Sequence, residues 1–292
     1  MKLSARDLAY LSEQAVEAAR VAGTFIARSR PHEVQTKTGG SSLASRVVTE
    51  IDRRSQQLIL ELLEPTCRRF ELATLAEEDE DDGERLRADH FWCIDPLDGT
   101  LPFIESTPGY AVSIALVSRA GQSQLGVVYD PVEGVMYRAT RGQGLRRGGT
   151  PWTPDSHDSG PALTLFTDRS FRDIAEHDRI VVALERIAKD VGLEGLQLGP
   201  SGGAVINACR VLSHPPACYF KLPKPGAGGG SLWDYAATAC MFDEAGAIAT
   251  DMSGAPLDLN RADSTFMNHR GVLFATDPRL AAQLRTLPSP YR

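Results

Sequence analysis

Partway along this chain the hydrophobic pattern changes period, and no fold built from one kind of layer accommodates both halves. Between residues 110 and 149 short β runs follow one another at turn spacing (110–117, 124–129, 135–139 and a piece near Leu145), which reads as an antiparallel meander. Beyond a Pro/Asp/Ser-rich joint at 151–161, strands expected at 163–166, 195–198 and 217–221 alternate with helices near 178–190 and at 204–212. A helix at 233–245, strands at 247–250 and 272–275, and a closing helix near 278–287 complete the series. An antiparallel sheet followed by α/β alternation predicts an α+β fold with helices layered between sheets.

The amino-terminal third is helical. Ser4-x-x-Asp7 has the form of a capping box, and Leu8, Leu11, Ala15, Ala18, Ala22 and Phe25 mark one apolar face. A Gly/Ser-rich stretch at 38–45 interrupts and reads as a mobile loop. After Val47-Val48-Thr49-Glu50-Ile51-Asp52, the residues Ile51, Leu58, Ile59, Leu62 and Leu63 keep helical spacing until Pro65. Thr49-x-x-Asp52 can itself be a capping box. The length of 292 residues suits one domain, 1–292, made of two intimate halves, 1–155 and 156–292.

Chemistry concentrates in Trp92-Cys93-Ile94-Asp95-Pro96-Leu97-Asp98-Gly99-Thr100, where an apolar run ends in two carboxylates, a glycine turn and a hydroxyl. Carboxylates three apart across a proline-stiffened turn can converge on a hard cation such as Mg²⁺. Backbone N–H groups at Gly99-Thr100 can face an anion, and Asp-Gly is equally a common hairpin turn. Glu77 stands first after the apolar segment 70–76 and opens a run of seven acids reaching Glu84. Asp234, in Leu232-Trp233-Asp234-Tyr235-Ala236-Ala237, sits where an acid also suits a helix start.

In order along the chain, these pieces make it resemble the inositol monophosphatase superfamily, whose hallmark Asp-Pro-hydrophobic-Asp-Gly-Thr stands here as Asp95 to Thr100. The resemblance implies a layered αβαβα sandwich and a Mg²⁺-dependent, lithium-sensitive phosphomonoesterase that uses two or three ions. It implies metal ligands Glu77, Asp95, Asp98, Asp234 and the Leu97 carbonyl. It also implies water activation by Thr100 and Asp52 beside Glu77, and phosphate contacts at Gly99, Thr100, Ser201 and Lys37, with the Lys37 loop closing over the site. A cytoplasmic homodimer is the family expectation. Ser264 to Asn268 and Ser113 to Leu116 look closest to the 3′(2′),5′-bisphosphate nucleotidase branch, so adenosine 3′,5′-bisphosphate is the leading substrate and inositol or another polyol phosphate the alternative. Tyr219, Phe220, Lys221 and Lys224 are the candidates for an adenine shelf and a cation site. Leu101-Pro102-Phe103 keeps only the phenylalanine of either branch's continuation, so the hallmark implies the reaction and leaves the alcohol open.

Composition narrows the classes. Net charge is −7, and without the seven acids of 77–84 the chain is formally neutral, so no broad basic field is available to a nucleic-acid polymer. No apolar stretch approaches the ~20 residues of a membrane span. Five cysteines (Cys67, Cys93, Cys209, Cys218, Cys240) form no C-x-x-C pair, which argues for buried packing. A competing class comes from Gly199-Pro200-Ser201-Gly202-Gly203, which matches a serine-nucleophile elbow with Asp234 or Asp243 and then His269 downstream. The meander before it is not the run of parallel units such an elbow normally follows. A relative that binds phosphate esters without turnover is the third reading.

Overall fold

The computed structural model describes residues 3–29, 34–36, 47–154, 160–174 and 176–289, and of 34–36 and 47–49 the backbone alone. Lys37, the 38–45 loop and the Thr49 side chain lie outside the described residues.

Helix α1 (Ala5–Arg28) starts at the predicted box, with the Asp7 N–H donating to Ser4 Oγ at 3.2 Å and the Ser4 N–H to Asp7 Oδ2 at 2.9 Å. Strands β1 (Val34–Thr36) and β2 (Val47–Thr49) pair antiparallel, and α2 (Glu50–Phe70) follows directly. This helix runs through Pro65, where the sequence pattern predicts its end. Pro65 and Glu61, whose carbonyl loses its donor, both face water, while Thr66 and Phe70 on the opposite face are buried and hold the last turns. Thr66 Oγ1 also accepts from Trp92 Nε1 at 2.9 Å.

A seven-stranded sheet is laid down in chain order: β3 (Ala73–Ala76), β4 (His90–Asp98), β5 (Ala111–Ser118), β6 (Ser123–Asp130), β7 (Val135–Thr140), β8 (Leu145–Arg147) and β9 (Thr150–Pro151). From β5 onward it is the predicted meander, which β4 joins antiparallel. Its first pair departs from a purely antiparallel reading, because β3 runs parallel to β4. A parallel pair needs a crossover of about a dozen residues, and the acidic segment after Ala76, with its short 3₁₀ turn Glu84–Leu86, is that crossover. Strand β3 is also shorter than the apolar run 70–76, because Phe70 closes α2 and Glu71 turns the chain at φ 54°.

Past β4 comes the short helix α3 (Thr100–Ile104). The second half adds β10 (Leu163–Leu165), a 3₁₀ turn Arg169–Asp173, α4 (His177–Asp190), β11 (Leu196–Leu198), α5 (Ala204–Ser213), β12 (Ala217–Lys221), α6 (Leu232–Ala245), β13 (Ile248–Thr250), β14 (Val272–Ala275) and α7 (Pro278–Leu284). Its five strands are ordered β11-β10-β12-β14-β13.

Three apolar clusters separate five layers. Alternate residues of β4 show how: Trp92 and Ile94 face α1 and α2, whereas Phe91 and Cys93 face α5 and α6. The other side of α5 and α6 meets Tyr219 and Phe274 of the smaller sheet, whose far face packs on α4 and α7. That is the αβαβα sandwich, and its central cluster draws residues from both halves of the chain. Cys93, Cys209, Cys218 and Cys240 are buried in these layers, Cys67 is half-buried, and none is in a disulfide. No described helix is long and apolar enough to cross a membrane.

Candidate active site

The period of two along β4 aims Asp95, like Phe91 and Cys93, at the central helix layer. A break in the β4–β5 register between Asp95 and Asp98 then brings a second acid to the same place. The geometry leaves Asp95 1% and Asp98 5% exposed. Asp234 enters from the first turn of α6, and one ligand atom from each of the three carboxylates lies within 4.8 Å of the others. Ser113, opposite Asp95 on β5, donates to the Trp233 carbonyl at 3.3 Å and so ties the start of α6 to the strand pair.

Each acid also has a structural task. Asp95 Oδ1 accepts the Leu97 N–H at 3.0 Å across the proline turn. Asp98 caps α5, its Oδ1 accepting from the Ala204 N–H at 3.0 Å and its Oδ2 from the Val205 N–H at 2.9 Å. This cap was not visible in the sequence, because more than a hundred residues separate the carboxylate from the helix. Asp234 Oδ2 accepts the Ser231 N–H at 2.5 Å within a capping box, so the helix-start reading of this residue holds. Two capped helices therefore begin at the cluster, and α3 begins beside it at Gly99 (φ 83°), where a side chain would meet the Gly109 carbonyl.

Burial raises the Asp95 carboxyl well above the ordinary range, and Glu77, Asp98 and Asp234 push it further. Glu77 also shares a hydrogen bond with it. Asp98 is pushed up to about 8, by burial first and then by Asp234, against the opposing backbone donors of α5. Asp234 is raised by burial, with Ser231 and Lys221 opposing. Buried carboxylates this close can be ionised together only with a counter-charge, and a donor set made wholly of carboxylate oxygen fits a hard divalent cation.

A stability prediction arises here. Asp titrates near 3.9 when unfolded, and Asp98 only near about 8 when folded. Between those values the folded chain binds more protons, so its metal-free stability falls as pH rises and the loss is complete above the folded value. Thermal unfolding in EDTA should therefore show Tm dropping from pH 6 to pH 9. Added Mg²⁺ should raise Tm more at pH 9 than at pH 6, and a Tm independent of pH would contradict this electrostatic account.

The other predicted residues fall around this cluster. Thr100 Oγ1 donates to the Leu97 carbonyl at 3.3 Å. Asp52 is buried in the first turn of α2; one turn on, Ser55 Oγ donates to the Pro96 carbonyl at 2.9 Å, which sets that helix face against the hallmark turn. Glu77 begins the crossover, its N–H donating to the Ile94 carbonyl at 3.2 Å. Ser201 is exposed in the loop before α5, and His269 Nδ1 lies 2.9 Å from Arg261 Nη1. No hydrogen bond joins Ser201 to a histidine among the described residues, and Asp234 and Asp243 sit at opposite ends of α6, so the serine-elbow reading gains no triad.

Two residues advanced for an adenine shelf belong to the core instead. Tyr219 is 0% exposed and stacks on Phe274 at 6.0 Å, and Phe220 packs edge-on against Phe171. Their strand is central in its sheet, and helices pack on both faces of that sheet. Lys221, at the end of that strand, pairs with Asp168 and interacts with Asp234 and Asp98. Burial pushes its ammonium down to about 8.

Two sheets with three helix layers, and a carboxylate cluster where helix starts meet a strand end, define a layered α+β protein with a candidate metal site. The chain belongs to the inositol monophosphatase family, whose model matches residues 7–288. It is 30% identical to the Nus factor SuhB of Salmonella typhimurium, over 82% of this chain and 84% of that protein. An inositol monophosphatase from Anabaena superposes with a TM-score of 0.68 at 24% identity, covering 97% of this chain and 98% of that one. An IMPase/NADP phosphatase complexed with NADP and Ca²⁺ gives 0.72 at 18% identity, covering 99% and 98%.

Proposed function

We propose that this protein is a Mg²⁺-dependent phosphomonoesterase acting on a small phosphorylated metabolite. The observation that carries the reading is the Asp95–Asp98–Asp234 cluster, with Asp95 and Asp98 buried and Asp234 half-buried at the starts of two capped helices and ligand atoms within 4.8 Å of one another. Glu77, Asp95, Asp98, Asp234 and the Leu97 carbonyl would hold the ions. Bound Mg²⁺ supplies charge neutralisation for the carboxylates and phosphate oxygens and lowers the pKa of water. The remaining work belongs to the chain. Backbone N–H groups at Gly99 and Thr100 orient the phosphate. Thr100 would take the proton of the attacking water as its own hydroxyl proton passes to Asp52. The water oxygen bonds to phosphorus while the bond to the ester oxygen breaks and the leaving alcohol takes a proton from a second water, so no covalent enzyme intermediate is needed. Ser201 and Lys37 are retained as phosphate contacts.

For the substrate, a phosphate ester bearing a second anionic group comes first, adenosine 3′,5′-bisphosphate being the leading example. Lys221, which interacts with Asp234 and Asp98, and Lys224, which lies near Lys221, support this choice, and it does not rely on Tyr219 or Phe220. Phosphate release should be compared for adenosine 3′,5′-bisphosphate, inositol 1-phosphate, fructose 1,6-bisphosphate and histidinol phosphate under Mg²⁺. EDTA should abolish activity and a serine-directed fluorophosphonate should leave it unchanged. A second reading rests on the relative's name, which is that of a Nus factor and not of a hydrolase. Tight binding of these esters with no hydrolysis of any would replace the enzyme with a phosphate-ester-binding protein.

A further inference from the structure

The carboxylates of the proposed metal site reach it on separate pieces of chain, and one late segment grips two of them. Arg85, at the far end of the crossover that begins with Glu77, is a guanidinium only 1% exposed. Asp81 answers it from within the crossover at 2.9 Å, and Asn260 Oδ1 accepts from its Nη1 at 2.6 Å. Asn260 Nδ2 donates back to the Arg85 carbonyl at 3.3 Å and to the Arg119 carbonyl at 3.0 Å. One buried amide thereby joins the crossover, the β5–β6 turn and the C-terminal segment.

The next residue continues the grip in the opposite direction. Arg261 Nη1 donates to the Phe266 carbonyl at 3.1 Å and to Asn268 Oδ1 at 3.3 Å, which folds 261–268 into a compact loop. That loop pairs with the approach to Asp234: the Leu232 N–H donates to the Thr265 carbonyl and the Met267 N–H to the Gly230 carbonyl, each at 2.9 Å. Ser231, the cap whose N–H holds Asp234, bridges Phe266.

We propose that residues 260–268 form a brace that sets the Glu77 crossover and the Asp234 helix start at a fixed separation, with Asn260 and Arg261 as positioning residues for the metal site. The physical reason is that ligands on separate segments converge only if something common to both fixes their spacing. Buried, mutually satisfied polar groups do this more rigidly than apolar contacts, which slide. The proposal rests on the cluster's being a metal site and is independent of which ester is hydrolysed.

The test is Mg²⁺ affinity, read by titration calorimetry without substrate, for Asn260→Ala and for Leu184→Ala, a core truncation in α4. Thermal unfolding in EDTA gives each variant's loss of stability. The brace predicts at least tenfold weaker Mg²⁺ binding for Asn260→Ala and wild-type affinity for Leu184→Ala. Wild-type affinity in Asn260→Ala overturns it, as does an equal loss in both variants, which would show a general effect of stability. Should Asn260→Ala fail to fold, Arg261→Met carries the same tenfold expectation and the same refutation. A wild-type protein that binds no Mg²⁺ removes the metal site and the brace with it, whereas Mg²⁺ binding without ester hydrolysis removes only the phosphatase reading.

Discussion

Asp95→Asn should lower turnover by at least ~10³, about 4 kcal/mol of transition-state stabilisation, with the fold intact. The substitution is nearly isosteric, and its carbonyl oxygen can still accept the Leu97 N–H that Asp95 Oδ1 takes at 3.0 Å. What disappears is the charge between Glu77, Asp98 and Asp234, the groups that together push this carboxyl upward. Removing one of several buried acids that repel one another should leave Tm in EDTA equal to or above that of the wild type. Kinetics under saturating Mg²⁺ together with that Tm decide the matter. Turnover near wild type removes the proposed site, and a collapsed Tm would assign Asp95 to the fold.

Gly203→Ala is expected to cost ~10² in turnover, the penalty of displacing a catalytic group by about 1 Å. The backbone at Gly203 is extended, with φ −63° and ψ 169°, so alanine meets no conformational strain there. The obstacle is space, since a Cβ would lie 2.2 Å from Asp98 Oδ2 and 2.6 Å from its carboxyl carbon. Asp98 cannot retreat without releasing the Ala204 and Val205 N–H groups it caps. Either the acid leaves the cluster or the start of α5 moves, and both disturb the proposed metal site. Gly160→Ala, with open space around its Cβ, is the matched control and should behave as wild type. Equal turnover in the two variants would show that the contact between Asp98 and α5 does not matter to the chemistry.

Much of this was legible because it is local. The continuous apolar run 91–94 placed a buried strand, and the switch from meander to α/β alternation marked the two sheets. Ser4-x-x-Asp7 and Ser231-x-x-Asp234 each supply a cap within one helical turn, which pattern reading can find. Pro65 misled it, because the cost of a proline depends on which face of the helix meets water. Tyr219 and Phe220 misled it for a similar reason. Aromatic residues before a motif look available until a neighbouring strand and helix cover both of their faces.

By itself the sequence determined the layer types, the residues capable of ligating a hard cation, and their order along the chain, since each follows from local spacing and side-chain chemistry. Only the tertiary structure decided that Asp95, Asp98 and Asp234 meet within 4.8 Å, that Asp98 caps a helix more than a hundred residues away, and that Asn260 reaches Arg85 across 175 positions. Such distances are set by the packing of five layers on three cores. No property of a local segment records where another segment will be packed against it.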